Sequence, residues 1–174
     1  MKFPSNTVQS RIASPLGDMV LSANTQGLSG AWFDGQRHQV DPSGWQLSPQ
    51  HPVLKLAATQ LAQYFAGQRR VFDLPLDLSS GTPFQQTVWR ALLTIAPGAT
   101  RSYGQLSQAI DRPTAVRAVA SAVGRNPLSI IVPCHRVLGA YGSLTGYAGG
   151  LPRKRALLQR EGATFSTDDQ QGLV

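Results

Sequence analysis

Cys134 is the only cysteine in the 174 residues, and His135 and Arg136 follow it directly. A thiolate rather than a thiol is the nucleophile, and a neighbouring proton acceptor or cation brings it within reach of neutral pH. A lone cysteine beside an apolar run is more often a small buried hydrophobe. Here the run is Ile130-Ile131-Val132, closed by Pro133, which fixes its own φ and presents the next residue at a defined angle. An imidazole and a guanidinium are poor company for an inert core residue, so Cys134 is the candidate nucleophile. One cysteine cannot form an internal disulfide, which suits a reducing compartment and places the protein in the cytoplasm. His38, His51 and His135 are scattered rather than set at zinc-ligand spacing, so neither a metal nor another cofactor is expected.

The elements that must position this thiol are legible on both sides. Three β-branched residues predict a short buried strand over 130–132. Upstream, Thr82…Gln85 is a capping box with Pro83 at the first helical position. It opens a helix whose stripe Phe84, Val88, Leu92 and Ile95 runs to Pro97-Gly98. A second capping box, Ser102…Gln105, opens a short helix with Leu106, Ala109 and Ile110 inward, broken at Asp111-Arg112-Pro113. A third helix spans 114–123, with Val116, Val119, Ala120 and Val123 inward and Arg117 and Ser121 on another face. Two short helices across a tight turn, the second small-faced and bearing Arg, describe a helix-turn-helix. Downstream, residues 141–150 form a glycine- and tyrosine-rich loop, and a last helix over 152–160 ends at Glu161-Gly162.

Residues 1–80 carry no recognisable chemistry and read as structural. They comprise a β-meander over 7–34, a loop over 34–52, a helix over 53–66 and a strand over 71–76. Ser79-Ser80-Gly81 reads as a linker. The division is therefore a domain over 1–80, a second over 81–165, and a flexible tail over 166–174. Charge follows the same division. Residues 1–80 hold six Lys or Arg against five Asp, and residues 81–174 hold ten against four, so nearly all of the net +7 is in the second part. That asymmetry points to an anionic partner, with nucleic acid first. No apolar run approaches a membrane span, and no membrane association is expected.

Pro133-Cys134-His135-Arg136 with Arg125-Asn126-Pro127 before it and Gly146-Tyr147-Ala148-Gly149-Gly150 after it resembles the O6-alkylguanine-DNA alkyltransferases. These are also called methylated-DNA–protein-cysteine methyltransferases. The resemblance runs from Thr82 to Gly162, and more loosely over 1–80. It implies an α/β (α+β) chain: a ribonuclease-H-like α/β domain, then a mostly helical domain with a helix-turn-helix and an active-site loop. It further implies that Cys134 accepts an alkyl group from guanine O6, once only. His135 takes the thiol proton through a water, Glu161 orients His135, and Asn126 links the recognition helix to the active-site turn. Tyr103 crowds the phosphate of the flipped nucleotide and donates toward guanine N3. Arg117 fills the gap left by the extruded base, within a DNA-binding set of Arg117, Tyr103, Thr114, Ser121, Arg125 and Arg136. Val137, Tyr147, Ala148 and Gly149 form the alkylguanine pocket. The implied partner is double-stranded DNA bearing O6-alkylguanine, bound by a monomer, with cooperative binding on DNA left open.

The chemistry agrees with this on independent grounds. O6 lies inside a stacked duplex, so an attacking sulfur needs the base out of the stack. Flipping costs a few kcal/mol, part of which an inserted side chain offsets. Two departures stand out: Tyr141 occupies a place where small polar residues are commoner in the family, and the N-terminal zinc-ligand cysteines of some members are missing. Two other classes remain open on the sequence. One is a helix-turn-helix binder with a structural Cys134; the other is a cysteine hydrolase using a distant histidine.

Overall fold

A meander buried on both faces builds the first part of the chain. A computed structural model describes residues 1–167. Strands β1 (Val8–Ile12), β2 (Met19–Ala23) and β3 (Leu28–Phe33) form the antiparallel meander. The Asn24 side-chain carbonyl closes the β2–β3 turn by accepting from the backbone of Gln26 and Gly27. Gly27 has φ +152°, and a Cβ there would stand 2.5 Å from the Pro75 carbonyl. Met19, Leu21, Ala31 and Phe33 point into the main core, where α1 (Pro52–Phe65) covers the sheet with Leu54, Ala57, Leu61 and Tyr64. Trp32 points to the other face and packs against Phe3 and Trp45, at ring-centroid distances of 6.0 and 6.1 Å.

Two expectations for this part are corrected. The 34–52 segment contains a two-residue strand, β4 (Gln46–Leu47), parallel to β1, so the sheet order is β3-β2-β1-β4. Two residues are too few to leave a period. Residues 71–76 form no strand. They meet the sheet at a single bridge, Leu28 with Leu76, because Pro75 has no N–H to continue a ladder.

The second part follows its caps. Both capping boxes form, at Thr82–Gln85 and Ser102–Gln105. They open α2 (Pro83–Leu92) and α3 (Tyr103–Ala109), and α4 (Val116–Gly124) packs against both. Helix α2 stops at Leu92, short of Pro97, and Ile95 reaches the core from the following turn. In α4 the inward residues are Val119, Ala122 and Val123; Val116, at the open first turn, is 37% exposed. A short parallel pair, β5 (Arg101–Ser102) and β6 (Val137–Leu138), ties the start of α3 to the segment after Cys134. Helix α5 (Leu151–Glu161) ends at Gly162, whose φ of +70° makes the left-handed stop. Of the tail expected over 166–174, residues 168–174 lie outside the described residues, while Ser166 bridges Ser143.

The strand expected at 130–132 is instead a tight turn. Val132 N–H donates to the Leu128 carbonyl at 2.9 Å, and Ile130 sits at φ +74°. A β-branched residue in that region costs on the order of 1–3 kcal/mol. The turn persists because the free edge of β3 clamps it: Ala31 N–H donates to Pro127 O and Ser129 N–H to Ala31 O, each at 2.8 Å. Edge groups of the sheet and orphan groups of the turn satisfy one another.

Helix α4 is held from behind by one indole. Trp89 is fully buried and its Nε1–H donates to the Ala122 carbonyl at 2.8 Å. Trp89→Phe keeps most of the apolar contact but leaves that carbonyl only the Arg125 N–H at 3.2 Å. Urea unfolding is expected to show a loss of about 0.5–1.5 kcal/mol; an unchanged midpoint would mean the bond contributes nothing.

Candidate active site

Asn126 is the pin of the turn that presents Cys134. Its Nδ2 donates to Val132 O at 2.8 Å and to Cys134 Sγ at 3.0 Å, and its Oδ1 accepts from Leu128 N–H at 2.9 Å. The residue directly follows α4 and its Ccap Arg125, so that helix and the sulfur share one rigid joint. Cys134 is 5% exposed. Burial pushes its thiol pKa up, while the Asn126 N–H and the Lys154 ammonium pull the other way without winning. The resting group is a thiol, and attack requires a base.

The neighbouring imidazole is arranged as one. His135 Nε2 lies 2.9 Å from Glu161 Oε1. A carboxylate only accepts, so Nε2 carries the proton and Nδ1 keeps its lone pair. Nδ1 is buried and meets no hydrogen-bond partner among the described residues. Burial lowers the His135 pKa against the opposing pull of Glu161, which keeps the ring neutral and able to accept. Glu161 itself is paired through both oxygens. Arg136 donates to both oxygens, Nε to Oε2 at 2.8 Å and Nη2 to Oε1 at 2.9 Å, and Tyr64 O–H donates to Oε1 at 2.8 Å. Desolvation opposes ionisation, but the Arg136 and His135 donors outweigh it and hold the carboxyl well below its usual range.

This geometry corrects the expectation for Arg136. Its guanidinium is buried at 6% exposure, paired with Glu161 and bonded through Nη1 to the Ile95 carbonyl at 2.6 Å. A group so enclosed cannot reach a phosphate; it neutralises the carboxylate that positions His135. The other predicted residues fall into two groups. Tyr103, Ser121, Arg125, Tyr147 and Ala148 line a cleft of about 510 Å³ with Cys134 at its base. Thr114 and Arg117 are exposed on the helix-turn-helix beside it. Burial raises the Tyr103 pKa, with the Cys134 charge adding to it, so the phenol stays protonated and can donate. Gly149 lies behind the ring of Tyr147, where a Cβ would come within 2.6 Å of Cε1. One acceptor site of the Val137 carbonyl is already taken by Lys154 Nζ at 2.5 Å.

Sequence reasoning missed four residues. Lys154 has no exposure, and its Nζ also binds Thr145 O at 2.8 Å and Gly146 O at 3.2 Å, fastening the glycine-rich loop to α5. Burial lowers its pKa to about 8, with the Cys134 charge opposing. The available signal was its place on the inward face of α5 with Leu157, Leu158 and Glu161. Arg37 and His38 reach the mouth of the cleft from the first part of the chain, and Arg37 N–H donates to the Ala148 carbonyl at 3.0 Å. Nothing in their spacing announced it. Tyr64 carried the same kind of signal as Lys154, an inward place on α1. Among the described residues no three His, Cys, Asp or Glu groups come together to hold a metal ion.

Two family models match the chain. The DNA-binding domain of 6-O-methylguanine DNA methyltransferase matches residues 83–163, and the ribonuclease-like domain of the same family matches residues 8–78. A methylated-DNA–protein-cysteine methyltransferase of Mycobacterium bovis is 47% identical over 157 residues, 90% of this chain and 93% of the relative. The crystal structure of an O6-methylguanine methyltransferase of Mycobacterium tuberculosis superposes with a TM-score of 0.80 at 46% identity, covering 94% of this chain and 96% of that one. An OGT of M. tuberculosis crystallised in complex with DNA gives a TM-score of 0.80 at 48% identity, over 87% of this chain and 91% of that one.

The Glu161 site predicts a stability change with a defined pH sign. In the unfolded chain the carboxyl takes a proton near its ordinary value of about 4.3. In the fold it stays ionised below that, so its contribution is complete above the ordinary value and is lost as the pH falls. Glu161→Gln strands the buried Arg136 charge and is expected to cost about 3–5 kcal/mol at neutral pH in urea unfolding. The deficit against wild type should shrink on acidification. A deficit independent of pH would show that the carboxylate charge is not what stabilises the joint.

Proposed function

The chain belongs to the 6-O-methylguanine DNA methyltransferase family, and we propose that Cys134 is the residue on which the family's reaction ends in this protein. That reaction is DNA repair: an alkyl group leaves guanine O6 and becomes attached, irreversibly, to a cysteine of the protein itself. One arrangement supports the assignment. The buried Cys134 thiol is pinned by Asn126, adjoins the neutral His135 held by Glu161, and stands at the base of a cleft opening beside an Arg-bearing helix.

The steps follow from the groups present. Helix α4 enters a groove of duplex DNA, and Arg117, exposed on its surface, fills the space of a base turned out into the cleft. The flipped O6-alkylguanine rests against Tyr147, with the Ala148 N–H directed to O6. His135 Nδ1 takes the thiol proton through a water. Sγ then forms a bond to the alkyl carbon as the carbon–O6 bond breaks, and the electron pair passes to the purine. Ala148 N–H and a proton from Tyr103 toward N3 stabilise the leaving guanine, where charge develops. The product is a thioether, which no group in the cleft is equipped to cleave, so each molecule acts once.

The domains are taken as 1–80 and 81–165, with double-stranded DNA bound chiefly by the second. Arg37 adds positive charge from the first at the cleft mouth, beside a His38 that burial and the neighbouring arginines keep neutral. We take the working form as a monomer in the cytoplasm, consistent with a single unpaired thiol.

Intact mass after mixing with a methylated duplex tests the assignment directly. Wild-type protein should gain one methyl and then stop, and Cys134→Ser should gain none while still binding DNA. A hydroxyl is a far weaker nucleophile toward an alkyl carbon. Methyl transfer by the serine variant would overturn the assignment; unchanged mass of the wild type would favour a binder that only recognises the lesion.

Arg117→Ala separates flipping from chemistry. Most affinity comes from phosphate contacts, so binding to undamaged duplex should weaken only modestly. Transfer from duplex should slow much more, while free alkylguanine base should react at nearly the wild-type rate. Equal slowing on both substrates would remove Arg117 from the flipping role.

A further inference from the structure

Tyr64 lies on the last turn of α1, in the part of the chain that sequence reasoning assigns no chemistry, and only 2% of it is exposed. Its hydroxyl donates to Glu161 Oε1 at 2.8 Å, and that same oxygen holds His135 Nε2 at 2.9 Å. Two further bonds lock the joint. Arg70 Nη2 donates to the Glu161 backbone carbonyl at 2.9 Å, and Arg160 Nη1 donates to the Phe65 carbonyl at 2.5 Å. The hydroxyl is not needed to satisfy the carboxylate, since Arg136 already bonds both oxygens. Nor is it needed for packing, because the ring alone fills the space between Phe65 and Phe72. What it adds, beside Arg136 Nη2, is a neutral donor from the N-terminal part on the oxygen that holds the base.

We propose that Tyr64 is a positioning residue for alkyl transfer: its hydroxyl fixes Glu161, and through it His135, so the N-terminal part supplies one member of the reaction machinery. The inference rests on the reading of His135 as the base for Cys134. The groups facing His135 are Glu161 and Lys154 from α5, Cys134 and Arg136 beside it, and, one bond further, Tyr64 from α1. Arg70 and Arg160 flank the joint. Glu161 favours the imidazolium, while burial, Arg136 and Lys154 oppose it. A donor on Oε1 draws carboxylate charge away from the ring and so weakens the pull toward the imidazolium. Its removal concentrates that charge on His135, raises the affinity of the ring for a proton, and lowers the neutral fraction at a given pH.

The test is single-turnover transfer from a methylated duplex, measured against pH for wild type, Tyr64→Phe and His135→Gln. A fourth protein carries a fluorinated tyrosine at position 64, a stronger donor of the same shape. Tyr64→Phe should bind DNA as wild type does, react about three- to tenfold more slowly near neutrality, a part of what one hydrogen bond to a charged group is worth, and have its acid limb moved to higher pH. The fluorinated residue should move that limb to lower pH. His135→Gln should remove the limb. If it does, yet Tyr64→Phe and the fluorinated protein both match wild type in rate and profile, the proposal fails alone. If the limb survives in His135→Gln, the base assignment fails and the proposal falls with it.

Discussion

A single buried carboxylate carries the architecture of this protein. Glu161 is 5% exposed and remains ionised, a state that the interior tolerates only when the charge is paired and hydrogen-bonded. Four donor contacts reach the carboxylate, from Arg136 twice, His135 and Tyr64. They come from the 3-10 turn Cys134–Arg136 and from α1, while the carboxylate itself comes from the end of α5. Three segments far apart in sequence must therefore meet at one point for the charge to be stable. Arg136 balances the charge, and the histidine gains a fixed tautomer. Stability and chemistry share these contacts, so neither can be altered without the other.

The second constraint is the turn from Asn126 to Cys134. It stores strain at Ile130 and holds it with two kinds of bond: the Asn126 amide inside the loop and the free edge of β3 outside it. An unpaired strand edge is ordinarily a hazard for aggregation. Here the edge is used up in clamping the segment that carries the sulfur. The two parts of the chain are thus joined at the site by sheet-edge bonds, by Tyr64 and Arg70 at Glu161, and by Arg37 at Ala148.

How far the sequence revealed this depended on whether the signal was local. Capping boxes at Thr82 and Ser102, the helix stop at Gly162 and the turns of the 7–34 meander are written within a few residues of where they act, and all appear in the fold. The Ile130-Ile131-Val132 run misled because three β-branched residues have strand propensity, while the turn they adopt is imposed from Ala31, a hundred positions away in effect and invisible to any window. Arg136 misled for the same reason. Next to a nucleophile in a basic segment it reads as a phosphate ligand, and only the tertiary placement of Glu161 turns it inward. Lys154 and Tyr64 were marked by their inward places on amphipathic helices, yet polar atoms on such faces can equally be capped by solvent at the rim. What each one bonds is a property of the assembled core.

The raised thiol pKa of Cys134 then has a consistent meaning. A nucleophile that is used once is lost to any electrophile or oxidant that reaches it first, and reactivity of that kind follows thiolate character and exposure. A buried thiol at rest offers neither. The neutral His135 beside it can take the proton, and the Asn126 N–H and Lys154 ammonium can support the negative sulfur once formed, so the thiolate need form only as an alkyl carbon is presented in the cleft. The cleft therefore couples reactivity to recognition. Sulfur becomes a strong nucleophile as its proton leaves toward His135 and stays a poor one at rest, which is the condition under which a protein can hold a single irreplaceable thiol in reserve.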